Sequence, residues 1–174
     1  MKNIVLIGFM ATGKSSVGRR LARMLRREFI DTDREIERLT GKSVAQIFAV
    51  EGEKRFRSEE KLLCAKLACR QGLVIATGGG TLLDPENVRQ LGKNGVFIRL
   101  TASVDDIWER VRRKGNRPLL HGDGRARIVE LLEARAGLYD VAEFTVDTGI
   151  RSVEATAQEI ICFLKEKGYL DQTG

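Results

Sequence analysis

The sequence is poor in the residues that carry metal and redox chemistry: its 174 residues hold one histidine, three cysteines and no C-x-x-C pair. That leaves too few ligands for a zinc site, and an odd number of thiols builds no disulfide framework. Cys64, Cys69 and Cys162 lie among apolar residues on helical stretches, which predicts buried thiols. No apolar run approaches the roughly 20 residues that span a bilayer, and no secretory hydrophobic segment with a cleavage site precedes the first strand. A cytoplasmic protein is therefore expected. Aromatic residues make up only 6% and do not interleave with the basic ones, so the formal charge of +6 lacks the stacking surface that nucleic acid requires. Small anionic ligands account for that charge, and neither nucleic acid nor a membrane is expected as a partner. Linkers, repeats and low-complexity tracts are missing too. With 43% hydrophobic and 31% charged residues, the chain reads as one globular domain over residues 1–174. A chain of this length buries about two thirds of its unfolded surface without staples.

What the sequence does have is Gly8-Phe9-Met10-Ala11-Thr12-Gly13-Lys14-Ser15, a match to G-x-x-x-x-G-K-[ST] between an apolar run, Ile4 to Ile7, and a helical pattern. A strand ending at Gly8 and a helix beginning near Lys14 leave free backbone N–H groups at the helix's positive end, a site for phosphate. Lys14 would reach the β- and γ-phosphates, and the Ser15 hydroxyl would ligate the accompanying Mg²⁺. The first helix runs to about Arg27, with Val17, Leu21, Met24 and Leu25 inward and an arginine-rich outer face. A second strand, Phe29-Ile30, delivers Asp31-Thr32-Asp33 at its carboxyl end, where open α/β sheets place their chemistry. Thr32 or Asp33 could cap the next helix, Arg34 to Leu39, but a cap explains one acid and not two. No aspartate ends the third strand, so Asp31 is assigned to the metal side.

Further along, Ser43-Val44-Ala45-Gln46 has the form of a capping box, opening a helix that carries Ile47, Phe48 and Val50. On the longer helix after Gly52, Arg57 lines up with Cys64 and Ala68 in a sheltered small-residue stripe. It either meets an anion there or snorkels to the surface. Leu73 to Ala76 is a third, buried strand, followed by Thr77-Gly78-Gly79-Gly80-Thr81, more glycine than a tight turn needs and suited to a ligand lying against bare main chain. Asp84-Pro85 starts a short helix, Val96 to Leu100 is the fourth strand, and Ser103 caps a helix with Ile107, Trp108 and Val111 inward. Residues 113–124, with glycine near both ends and Arg117 between, read as a lid, in which His121 has no assigned chemistry. Arg135 continues the apolar face of Ile128, Leu131 and Leu138; a charge there needs either a ligand's carboxylate or phosphate, or an internal acid. Phe144 to Asp147 is the fifth strand, and a last helix, Val153 to Lys167, packs Val153, Ala157, Ile160, Ile161 and Leu164.

Taken together, the phosphate loop at 8–15, Asp31-Thr32-Asp33, Phe56-Arg57 with Glu59-Glu60, Gly78-Gly79-Gly80, Arg117-Pro118-Leu119-Leu120, and Arg135 ahead of Leu138-Tyr139 resemble shikimate kinase over nearly the whole chain. The resemblance implies an α/β, three-layer P-loop kinase fold with a five-stranded parallel sheet ordered 2-3-1-4-5, substrate-binding helices over about 34–61, and a lid. It implies transfer of phosphate from ATP, with Mg²⁺, to the 3-hydroxyl of shikimate by a monomeric enzyme on the route to chorismate and the aromatic amino acids. Carried onto this sequence, nucleotide contacts fall on Ala11, Thr12, Gly13, Lys14, Ser15 and Ser16, and Arg117 reaches the transferring phosphoryl group. Arg110, or its neighbours Arg112 and Arg113, packs on adenine, and Arg151 closes the other side. Asp33 orients or deprotonates the attacking hydroxyl, Arg57 and Arg135 grip the carboxylate, and Gly78, Gly79 and Gly80 line the acceptor. The sequence departs from the family at Ala11, usually glycine, and Gly137, often proline. A gluconokinase-like enzyme or a nucleotide-dependent switch without an acceptor are the alternatives.

Overall fold

The computed structural model describes residues 1–114 and 124–170, and the statements below concern those residues. Every residue of strand β1, Asn3–Ile7, is buried, so the strand must lie inside a sheet covered on both faces. Parallel strands flank it on each side: β3, Val74–Ala76, pairs Leu6 with Ala76, and β4, Gly95–Thr101, pairs Ile7 with Arg99. The edges are β2, Phe29–Asp31, against β3, and β5, Phe144–Asp147, against β4. The order β2-β3-β1-β4-β5 is the one the resemblance implied. The crossing from β1 runs to β2 on one side and the crossing from β3 runs past β1 to β4 on the other, so a crevice opens beyond the carboxyl end of β1, where α/β folds bind ligands.

Period-two alternation distributes the core. Ile4 and Leu6 face a cluster with Val17 and Leu21 of α1, Lys14–Leu25, and Ile160 and Leu164 of α8, Val153–Glu166. Val5 and Ile7 face the opposite cluster, built with Ile36 of α2, Thr32–Thr40, Ile47 of α3, Val44–Val50, Phe56 and Leu63 of α4, Glu53–Ala68, and Leu91 of α5, Pro85–Gly92. A third cluster joins Phe9 and Met10 to Ile107 and Val111 of α6, Val104–Lys114, and Ile128 of α7, Gly124–Ala134. It forms a floor under the phosphate loop. Gly18 lets α1 sit tight on the sheet, since a Cβ there would overlap the Phe29 ring.

Local chemistry explains where several boundaries differ from the sequence expectation. Helix α1 stops at Leu25 because Arg26 turns left-handed, φ 52°, and gives its N–H to Ala22 and Arg23. Helix α2 begins at Thr32, and its cap is neither Thr32 nor Asp33 but Asp31, whose carboxylate accepts from the Arg34 N–H. The capping box on α3 forms with both bonds in place, yet of Ile47, Phe48 and Val50 only Ile47 is buried; Phe48 and Val50 are exposed. Val153 is likewise exposed. Of the thiols, Cys64 is buried and Cys69 and Cys162 are exposed, which corrects the expectation for those two. Among the described residues, no helix is long and apolar enough to cross a membrane.

Candidate active site

The site is built along one rim, where β1, β2 and β3 end. Beyond β1 the loop turns through Ala11, whose φ of 60° is left-handed. For alanine that conformation costs about 1–2 kcal/mol, which the usual glycine would avoid. Thr12 Oγ1 donates to the Phe9 carbonyl at 2.8 Å and closes the turn. Lys14 is buried, with Nζ donating to the carbonyls of Gly8 and Phe9, both at 2.8 Å, so its charge lies over the loop where a phosphate chain would run.

At the start of α1, Ser15 Oγ donates to Asp31 Oδ2 at 2.5 Å. These two oxygens come from separate elements and meet beside the phosphate loop. No cluster of three histidine, cysteine or acidic side chains able to hold a metal occurs among the described residues. A site with one hydroxyl and one carboxylate nevertheless suits Mg²⁺, which keeps several waters and takes further oxygens from nucleotide phosphates.

Asp33 projects from the first turn of α2 into a polar cleft of about 120 Å³ that it shares with Lys14, Ser15, Asp31, Gly78 and Gly79. Its Oδ1 is buried and has no hydrogen-bond partner. Burial, then the charges of Asp31 and Glu60, push its carboxyl up to about 6, while Lys14 and Arg57 pull the other way. A buried carboxylate oxygen without a partner is costly, and it is held here on a carboxyl group that borders the cleft.

The glycine loop forms the opposite wall. None of Gly78, Gly79 and Gly80 has a positive φ, so close approach rather than turning explains them. A Cβ on Gly78 would overlap Asp33 Oδ1, and one on Gly80 would lie 2.5 Å from Arg57 Nη2. Gly79 alone faces open space, with the Met10 nitrogen 4.0 Å from its would-be Cβ. The loop makes room for two side chains and leaves the cleft to the middle glycine.

Both arginines reach this loop from outside the cleft. Arg57 finds internal acids: Nη1 donates to Glu60 Oε2 at 2.7 Å, and Nε and Nη2 to Glu53 Oε1 at 3.2 Å. Sequence reasoning assigned no role to Glu60, which is only 1% exposed. The available signal was an acid in register with Phe56 and Leu63, on a stripe that should be apolar. Arg135 lies just past the end of α7, not within it, and begins the 3-10 turn Ala136–Tyr139 that contains Gly137. Its Nη1 donates to the Gly79 carbonyl at 3.0 Å and its guanidinium lies 5.9 Å from the Phe9 ring centre. Among the described residues it pairs with no carboxylate.

A second cavity of about 260 Å³ opens on the other side of the phosphate loop, lined by Ala11, Gly13, Ser16, Arg110, Thr148 and Arg151 among others. Of the three neighbouring arginines only Arg110 lines it; Arg112 stacks near Trp108 and Arg113 pairs with Glu109. Arg110 Nη2 donates to the Thr148 carbonyl at 2.7 Å and Nη1 to the Ala11 carbonyl at 3.2 Å, tying the wall to the loop. Arg151 forms an ion pair with Glu159. Arg117 and His121, and most of the lid read over residues 113–124, lie outside the described residues.

A five-stranded parallel sheet in this order, with a phosphate cradle at the central strand's end and a cavity on either side of it, defines the P-loop kinase class. Within that class, the sequence model described as shikimate kinase matches residues 10–165, and the chain belongs to the shikimate kinase family. A shikimate kinase of Desulforudis audaxviator is 64% identical over 98% of this chain and 90% of its own length. The structure of an Acinetobacter baumannii shikimate kinase in complex with shikimate superposes with a TM-score of 0.90, at 38% identity over 96% of this chain and 94% of that one. A gluconokinase from Sinorhizobium meliloti aligns over 98% of this chain and 97% of its own, with a TM-score of 0.62 at 19% identity, a likeness of fold alone.

Proposed function

We propose that this chain transfers the γ-phosphoryl group of ATP to the 3-hydroxyl of shikimate, giving shikimate 3-phosphate and ADP. The observation that carries the proposal is Asp33: a carboxylate with a buried, unpaired oxygen, held between the phosphate loop and the glycine loop. The substrate hydroxyl donates to the Asp33 carboxylate from the cleft side. As the hydroxyl oxygen attacks the γ-phosphorus and the bond to the β-γ bridging oxygen breaks, Asp33 takes the proton and later releases it to solvent. With a pKa near 6 the carboxylate is ionised at neutral pH yet basic enough to accept. Lys14 and the N–H groups of Gly13 to Ser16 neutralise the phosphates, and Arg117 is assigned the charge growing on the transferring group. Ser15 and Asp31 would hold Mg²⁺, which supplies further positive charge along the phosphate chain.

Arg57 and Arg135 converge on consecutive glycines of one wall, and two guanidiniums there suit a ring acid's carboxylate. Gly78 and Gly79 line the cleft that takes the ring, with Gly80 next to them against Arg57, and Arg110 and Arg151 flank adenine. The proposal includes a monomeric, cytoplasmic enzyme, supported by the sequence resemblance; light scattering at assay concentration tests the first property and cell fractionation the second. A coupled assay with ATP, Mg²⁺ and shikimate tests the reaction itself. Shikimate-dependent ADP release is expected. Release with gluconate instead, or slow hydrolysis that ignores both acids, would overturn it.

A further inference from the structure

Glu60 presents a problem that the substrate site does not solve. Its carboxylate is 1% exposed, and Arg57 uses one of its oxygens, Oε2. The other, Oε1, accepts from the hydroxyl of Thr81 at 2.7 Å, and Thr81 is itself fully buried. Thr81 is the residue directly after the triple glycine. Its carbonyl accepts from Asn87 Nδ2 of α5 at 3.1 Å, and its N–H donates to the Gly78 carbonyl at 3.3 Å, so the hydroxyl comes from a residue held on both sides.

Residues 79, 80 and 81 thus each engage one part of the arginine pair. The Gly79 carbonyl takes Arg135, the bare Cα of Gly80 admits the Arg57 guanidinium, and the Thr81 hydroxyl fixes the carboxylate that orients it. We infer that Thr81 is a positioning residue for substrate recognition: by holding Glu60 it sets Arg57 at the angle and distance from Arg135 that a ring carboxylate requires. This inference rests on the shikimate kinase reading. A buried carboxylate that loses one of two partners turns toward whatever donor remains. Arg57 is the side chain that would follow it, and the two guanidiniums would no longer share one target. The hydroxyl does not border the cleft that holds Asp33 and Lys14, so its removal reaches the acceptor through Glu60 and Arg57 and touches neither the nucleotide site nor Asp33 directly.

Thr81→Val keeps shape and removes only the donor; Thr81→Ser keeps the donor and removes a methyl. For Thr81→Val the KM for shikimate should rise about tenfold, with kcat and the KM for ATP each within about twofold of the parent. Thr81→Ser should return the shikimate KM to within about threefold. Melting temperatures of all three proteins separate this from loosening of the fold. An unchanged shikimate KM in Thr81→Val, whatever its melting temperature, overturns the inference. So does a parallel change in kcat and both KM values, or a serine variant no better than valine. If the parent protein itself releases no ADP in response to shikimate, the functional reading has failed before the variants are compared.

Discussion

Asp33 is held in a state that folding alone disfavours. Its carboxyl titrates near 6 in the folded chain against an ordinary 3.8, so between those pH values the folded state binds more protons than the unfolded one. Stability therefore falls as pH rises through that window, and the full cost, up to about 3 kcal/mol, is present above pH 6. Asp33→Asn should abolish transfer, leave ATP affinity nearly intact and melt higher than the parent at pH 8, with the gain shrinking toward zero near pH 4. Calorimetric melts of both proteins at the two pH values check this, and a gain over the parent no larger at pH 8 than at pH 4 would contradict it. The two arginines differ in a similar way. Removing Arg57 strands the buried Glu60 and should cost about 2–3 kcal/mol of stability, while Arg135, with no acid partner among the described residues, should cost under about 1 kcal/mol. Both alanine variants should raise the shikimate KM by about 30-fold, so urea midpoints and kinetics together distinguish a ligand arginine from a structural one. Equal stability losses would mean that Glu60 gains nothing from Arg57.

At the scale of elements, the glycine loop works by subtraction, and its three positions should fail differently. Alanine at 78 pushes on Asp33 and should lower kcat; alanine at 80 pushes on Arg57 and should raise the shikimate KM. Alanine at 79 meets open space, so melting should be unchanged while its methyl enters the cleft and raises the same KM. Kinetics of the three variants that did not separate in this way would show the loop to be a turn and nothing more. The sequence announced this loop, since three glycines in a row invite explanation, but could not say that two of them serve neighbouring side chains. That depends on α2 and α4 arriving at β3, a long-range fact. The phosphate loop and the buried strands were legible because pattern and context agree locally. Arg135 reads as part of a helical face because Ile128, Leu131 and Leu138 keep an apolar period across a real break after Ala134. Asp31 caps α2, a role the sequence leaves open between Thr32 and Asp33 because all three residues are plausible caps. Cys69 is exposed because it caps α4 just past its last turn, and Cys162 because it falls on the outer face of α8, neither of which a local apolar neighbourhood reveals.

Across the whole molecule, the formal charge of +6 is carried largely on exposed helix faces, and many of those arginines are paired with nearby acids, as Arg38 is with Glu35 and Arg89 with Glu86. Such pairs contribute little stability. Their net excess instead sets the field through which two anionic ligands approach a single rim of the sheet. That field is screened over about 10 Å at 0.1 M salt, whereas Glu60 with Arg57, and Lys14 on its carbonyls, are buried enough to escape most screening. Raising KCl from 0.05 to 0.5 M should therefore lower kcat/KM for both ATP and shikimate several-fold while kcat stays within about twofold. Viscosity-matched kinetics at each salt concentration separate the effect from diffusion. If kcat fell in step with kcat/KM, the salt would be acting on the bound groups themselves, and the distinction between a screened surface and a protected site would fail.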